Sequence, residues 1–150
     1  MADTASAEPF ATGRCLCGAV SFAVRGPVRE VVACHCKQCR NQTGSFVMAS
    51  AARAVDVSIT GEEHVRWFSA SPEAERGFCS TCGSLLFWRP EGGDSLSLMA
   101  GAFDEPSVLR TAGHIFCADK GEYYEIPDDT LQFAQADSGE LRVWIEPAAQ

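Results

Sequence analysis

The chain has 150 residues, of which 46 % are apolar and 21 % charged, and this composition excludes an intrinsically disordered protein. Its net charge of −8 and pI near 4.8 argue against nucleic-acid or anionic-membrane partners, because no basic field would attract phosphates. With no transmembrane-length apolar stretch and no secretory signal pattern, we expect a cytoplasmic protein. Thiols stay reduced in that compartment, so the eight cysteines need an explanation other than disulfides.

Most elements predicted along the chain are short strands. We predict that residues 1–9 form a disordered leader and that residues 10–147 form a single domain. Apolar and polar residues alternate with a period of two in five stretches, which is typical of half-buried strands, and turn residues separate them: 20–24, 55–59, 65–68, 96–100 and 141–145. One short helix is predicted at 36–43 and one further turn at 106–109. The predicted fold class is all-β, with antiparallel sheets joined by hairpins and little helix.

The first cysteine motif is Cys15-x-Cys17-Gly18. Residues i and i+2 of a strand face the same side, so both sulfurs can converge, and Gly18 lets the chain bend after them. The motif supplies two ligands, and a closed structural zinc site needs four. The other two ligands must come from elsewhere in the chain.

The partner pair is predicted further along the chain, in Cys79-Ser80-Thr81-Cys82-Gly83. This spacing is typical of a zinc knuckle, a tight turn between two strands that aims both sulfurs at one point. Together with Cys15 and Cys17 it predicts a four-thiolate structural zinc site. Iron is an alternative metal for four thiolates, but Cys-x-Cys is not the usual ferredoxin spacing.

Between these pairs, Cys34, Cys36 and Cys39 form a group of three within six residues. Three thiolates around one zinc leave a fourth position open, which is typical of a catalytic rather than a structural site. The alternatives are a redox group, or a second structural site completed by another residue. A total of two zinc ions per chain is therefore predicted.

Three further residues near these motifs could act as ligands. His35 lies between two proposed ligands and should point away from the metal, so a hydrogen-bonding role is favoured. For His114 a satisfied, half-buried histidine is favoured over a ligand. Cys117, set in a short apolar strand, is predicted to be a small hydrophobe that binds no metal. If it did complete the group of three, the open position would be lost.

The ordered motifs resemble the glutathione-dependent formaldehyde-activating enzyme family, which includes centromere-protein-V-like proteins. The segments that carry the resemblance are 13–18, the Cys34-His35-Cys36-x-x-Cys39 motif with Thr43-Gly44, 78–83, and the segment from His114 to Ile126. The resemblance implies a β-tent-like fold held by zinc. It also implies that Cys15, Cys17, Cys79 and Cys82 hold the structural zinc and that Cys34, Cys36 and Cys39 hold the catalytic zinc.

The reaction implied by the resemblance joins glutathione to formaldehyde, which is carbon–sulfur lyase chemistry on a small thiol adduct. Lys37 and Arg40 are candidate contacts for the carboxylates of a glutathione-like ligand; the alternatives are that they offset thiolate charge or are solvated surface residues. The alternative from a different class is a non-catalytic, zinc-stabilised binding module with the same fold.

Overall fold

Strands are the main secondary structure of the computed structural model, which describes residues 8–148. The predicted leader, residues 1–9, lies outside the described residues except for Glu8 and Pro9. Twelve strands are present in the described part of the chain: β1 (Ala11–Arg14), β2 (Ser21–Val24), β3 (Val28–Arg29), β4 (Val31–Cys34), β5 (Val47–Arg53), β6 (Val57–Thr60), β7 (Val65–Ser71), β8 (Ala74–Cys79), β9 (Leu85–Pro90), β10 (Ser95–Met99), β11 (Thr111–Ile115) and β12 (Trp144–Ile145). The described residues include one α-helix, α1 (Lys37–Thr43), and several 3₁₀ turns. The all-β prediction is confirmed.

The strands form three sheets. A seven-stranded sheet has the order β11-β4-β5-β10-β9-β8-β7, a three-stranded sheet has the order β1-β2-β6, and β3 pairs with β12. All of these pairs are antiparallel except β4 with β11, which is parallel. The expectation of antiparallel hairpins is wrong for that pair. The two strands are far apart in sequence, and the long connection permits the parallel arrangement that a tight hairpin forbids.

The central strand β10 separates the main core from a cavity. Leu96 and Leu98 on one face belong to the main hydrophobic core, together with Phe22 of β2 and Phe87 of β9, whose ring centroids are 5.9 Å apart. Ser97 and Met99 on the other face line the cavity. Because side chains alternate along a strand, the same strand carries both core and cavity residues. The sheet therefore positions the cavity on the face opposite the main core.

Two predicted strands begin at least two residues later than the sequence pattern indicated. At 55–59, the strand starts only at Val57, because residues Ala54–Asp56 form a 3₁₀ turn that leaves Val55 83 % exposed. At 141–145, pairing is confined to Trp144–Ile145, although Leu141 is buried. Alternating residue types thus located the segments correctly but not their first residues, since turns can carry the same alternation.

No α-helix in the described residues is long and apolar enough to cross a membrane.

Candidate metal centres

The four cysteines of the two paired motifs come together in the structure. The sulfur atoms of Cys15, Cys17, Cys79 and Cys82 all lie within 4.8 Å of one another. The Cys17 sulfur is 3.7 Å from that of Cys15 and 3.8 Å from that of Cys79. Four sulfurs placed tetrahedrally at about 2.3 Å from one zinc would be about 3.8 Å apart. The donor set therefore fits a tetrahedral zinc ion.

Two tight turns bring these sulfurs together. Cys15 follows β1 in a turn in which the Gly18 N–H donates to the Cys15 carbonyl at 3.1 Å. The explanation by strand alternation is therefore wrong for Cys15 and Cys17, which converge through a turn. Cys79 ends β8, and the Gly83 N–H donates to its carbonyl at 2.8 Å. Both Gly18 (φ 82°) and Gly83 (φ 77°) have left-handed backbones, which glycine adopts without steric cost.

Polar hydrogens around this group favour thiolates. The backbone N–H of Val20 donates to the Cys15 sulfur at 3.3 Å. The Ser84 hydroxyl, 3.2 Å from the Cys82 sulfur, is the main reason that the pKa of Cys82 falls to about 5. The Leu16 N–H donates to the same hydroxyl at 3.1 Å, which ties the two cysteine turns to each other. The turns thus supply the sulfurs together with hydrogen bonds that stabilise the charged forms of Cys15 and Cys82.

The remaining three clustered cysteines form a second group around the start of α1. Cys34 is the last residue of β4, Cys36 is the N-cap of the helix, and Cys39 lies buried in its first turn. Their sulfurs lie within 4.8 Å of one another, and the Cys39 N–H donates to the Cys36 sulfur at 3.4 Å. The predicted helix at 36–43 is confirmed, with Cys36 as its cap rather than its first residue. Local structure alone brings the three sulfurs together.

The charge of this second group is concentrated on one sulfur. Hydrogen bonds from Cys34 and then Cys39 lower the pKa of Cys36, whereas contact with Cys36 and Cys39, and burial, raise the pKa of Cys34. One proton therefore leaves easily and the next leaves with difficulty, because like charges repel at short range. A bound divalent cation would offset the repulsion between the thiolates and so favour the loss of the remaining protons. Three thiolates fit zinc with one coordination position left for a further ligand.

A cavity of about 610 Å³ opens onto the second group. Its volume lies within the range of small-molecule sites and is far larger than a one-carbon carbonyl compound needs. Charged side chains of both signs line it, namely Arg29, Lys37, Glu73, Arg76, Asp119, Asp137 and Arg142. The four cysteines of the first group are not among the lining residues. The group of three is therefore the one that a small molecule can reach from this cavity.

Sequence reasoning identified only part of the charged lining. Of the two predicted carboxylate contacts, Lys37 lines the cavity and Arg40 does not. Arg29, Arg76 and Arg142 line it but were missed, because they come from β3, β8 and the segment before β12, far from the cysteine motifs in sequence. No local pattern sets these arginines apart from the other basic residues.

His35 is fully buried and is not among the residues that line the cavity. Its Nδ1 lies 2.7 Å from the Tyr124 hydroxyl, and its Nε2 lies 2.9 Å from Nδ1 of His114. The ring also packs against Phe46, with centroids 4.7 Å apart. The predicted hydrogen-bonding role of His35 is confirmed, and His114 is indeed a satisfied histidine, although it is buried rather than half-buried.

Because His35 is buried, we expect the folded protein to lose stability as the pH falls. Burial lowers its pKa to about 4 in the folded protein, against about 6.5 in an unfolded chain. The unfolded state therefore binds more protons between these values, and the folded state loses stability as the pH falls through them. Between about pH 7.5 and 5.5 the expected loss from this residue is about 1 kcal/mol. Urea unfolding in zinc-buffered solution measures it.

The control for this prediction is His35→Gln, which keeps a hydrogen-bonding side chain that does not titrate. Over the same pH range, its free energy of unfolding should fall by about 1 kcal/mol less than that of the wild type. Equal pH dependence in the two proteins would contradict the assignment.

Cys117 lies outside both sulfur groups. It begins the 3₁₀ turn Cys117–Asp119 and is half-buried, with its backbone N–H donating to the Phe133 carbonyl at 3.0 Å. The prediction that it continues an apolar strand is wrong, because β11 ends at Ile115 and Phe116 adopts a left-handed backbone with φ 54°. Its sulfur is not part of the group of three, and that it binds no metal stays a prediction.

Comparison with known proteins agrees with these features. The family model for the glutathione-dependent formaldehyde-activating enzyme matches residues 10–119. An uncharacterized lyase of Schizosaccharomyces pombe is 27 % identical over 126 residues, which cover 83 % of this chain and 91 % of that protein. A crystal structure of a Rhodobacter sphaeroides protein, 20 % identical, superposes with a TM-score of 0.53 over 81 % of this chain and 98 % of that one. The last similarity concerns the fold alone.

Proposed function

The chain belongs to the glutathione-dependent formaldehyde-activating enzyme family, and from that premise we propose that it is a zinc-dependent carbon–sulfur lyase. Family membership and a relative named as a lyase support lyase-type chemistry. The finer proposal is that the substrate is the adduct of a small thiol, such as glutathione, with formaldehyde or a related small carbonyl compound. The observation that carries it is the opening of a cavity of about 610 Å³ onto a group of only three cysteines.

Two zinc sites with different tasks belong to the proposal. Cys15, Cys17, Cys79 and Cys82 would hold a structural zinc, since four sulfurs complete its coordination. Cys34, Cys36 and Cys39 would hold the second zinc at the cavity. A zinc ion held there would lower the pKa of a thiol that takes the remaining position.

The residues of the cavity would bind and orient the thiol. Lys37, Arg29 and Arg142 offer cationic groups for carboxylates, and Glu73 and Asp137 offer partners for an ammonium group. This mixture of signs suits a small zwitterionic peptide thiol. In the reaction a sulfur–carbon bond forms while the carbonyl electron pair moves to oxygen, which gains the proton that the thiol loses. The reverse reaction releases the thiol and the carbonyl compound. The chain's contribution is to hold the sulfur and the carbonyl carbon side by side.

The direct test is catalysis of hemithioacetal formation from glutathione and formaldehyde, followed by exchange NMR of the hydroxymethyl signal. We expect the zinc-loaded protein to accelerate exchange above the uncatalysed rate. Cys36→Ser, matched for protein concentration, should not. A wild-type protein that neither accelerates exchange nor takes up thiol at its second metal would instead favour a zinc-stabilised binding module.

A further inference from the structure

Arg76 is a buried cation in contact with the group of three cysteines. Only 6 % of it is exposed, and its Nη1 lies 3.7 Å from the Cys39 sulfur. The same guanidinium donates to Oε1 of Gln38 at 2.9 Å and to Oε1 of Gln42 at 3.4 Å. Within residues 8–148, none of the side-chain ion pairs involves Arg76. A buried charge needs an opposite charge nearby, and the sulfur group is the one that Arg76 touches.

The fold brings Arg76 and Cys39 into contact although they are far apart in sequence. Arg76 lies in β8, at the far side of the seven-stranded sheet from β4, and is 37 residues from Cys39. In β8 it pairs with Trp88 of β9. Its side chain extends to α1, where the guanidinium donates hydrogen bonds to Gln38, Cys39 and Gln42. The guanidinium thus lies at the wall of the cavity beside the sulfurs.

Counting charges shows what such a cation can do. Three thiolates and one divalent metal carry a net charge of −1, and an added thiolate makes it −2, whereas a neutral ligand leaves it unchanged. A guanidinium at 3.7 Å from one of the sulfurs offsets one negative charge, and this matters most for the more negative state. Its effect therefore depends on the charge of the added ligand and not on the ligand's size.

We infer that Arg76 is a positioning residue that makes the three-cysteine centre prefer an anionic added ligand over a neutral one. The inference rests on the proposed function and extends it by giving a residue outside the cysteine motifs a defined electrostatic role. A purely structural role, in which Arg76 only anchors α1 through Gln38 and Gln42, makes a different prediction. It would affect anionic and neutral ligands equally.

The experiment uses the full chain loaded with cobalt(II), whose visible absorption reports ligand uptake at the second centre. Wild type, Arg76→Met and Arg76→Lys are each titrated with 2-mercaptoethanol, which binds as an anion, and with imidazole, which binds neutral. For Arg76→Met we expect an affinity for 2-mercaptoethanol at least about 10-fold weaker, because the guanidinium no longer offsets the negative charge that this ligand adds. Its affinity for imidazole should change less than about 2-fold, since a neutral ligand adds no charge.

Two variants complete the comparison. Arg76→Lys keeps the charge and loses the forked geometry, so it should retain most of the preference for the thiol. Arg66→Met removes an exposed arginine from the neighbouring strand β7 and should leave both affinities unchanged. If Arg76→Met does not fold, Arg76→Gln removes the charge while keeping a polar side chain and allows the same comparison.

The outcomes separate this inference from the proposed function. Equal weakening of both ligands, or no change in either, overturns the role of Arg76 while wild-type thiol uptake still supports the proposed function. A wild-type protein that takes up neither ligand overturns the proposed function and this inference with it. A selective loss of thiol affinity in Arg76→Met, restored in Arg76→Lys, supports both.

Discussion

Replacing Cys82 by serine is expected to unfold the protein at ambient temperature or to lower its melting temperature by tens of degrees. The four sulfurs link the turn after β1 to the turn after β8, and these strands belong to different sheets. Binding of a structural zinc ion contributes about 10–16 kcal/mol. That amount matches or exceeds the net stability of about 5–15 kcal/mol of a typical domain, so losing much of it removes the folded state. Zinc analysis and thermal unfolding by circular dichroism measure the effect.

The matched control is Cys117→Ser, which makes the same chemical change at a half-buried cysteine outside both groups. It should keep two zinc ions per chain and lose only the modest stability of a partly buried sulfur. A Cys82→Ser protein with unchanged zinc content and melting temperature would show that the four cysteines do not hold a structural metal.

The second large effect is expected on activity. Cys36→Ser should lose about one zinc ion per chain, and catalysis of hemithioacetal exchange should fall to the uncatalysed rate, because two sulfurs cannot retain the metal as three do. The fold should survive, since Cys34, Cys36 and Cys39 lie in one local segment. Serine is itself a favourable N-cap, so the start of α1 is preserved and the melting temperature should change by only a few degrees. Zinc analysis and exchange NMR on the same sample test both expectations.

A different outcome for Cys36→Ser would change the assignment of the two centres. If this variant lost both metals and unfolded, the group of three would be essential to the fold, and its proposed catalytic role would lose its basis. Retention of both metals with full activity would show that Cys36 is not a ligand.

The sequence by itself determined the local cysteine motifs and the class of fold. Close spacing confines Cys34, Cys36 and Cys39 to a strand end and one helical turn, and Cys79 to Cys82 span a single tight turn. Geometry of this kind depends on bond lengths and backbone conformations over a few residues, so spacing alone predicts it. Period-two alternation located five of the twelve described strands for the same reason, although the segment at Val55 shows that a turn can imitate it.

Only the tertiary structure decided what surrounds the second centre. The parallel pairing of β4 with β11 is set by contacts between segments far apart in sequence, and His114 reaches His35 through it. Arg76 reaches Cys39 because the seven-stranded sheet brings β8 to α1. Side-chain charge alone does not separate Arg76 from an exposed arginine such as Arg66. Its burial beside a sulfur depends on the packing of the whole chain, which no local pattern of residues encodes.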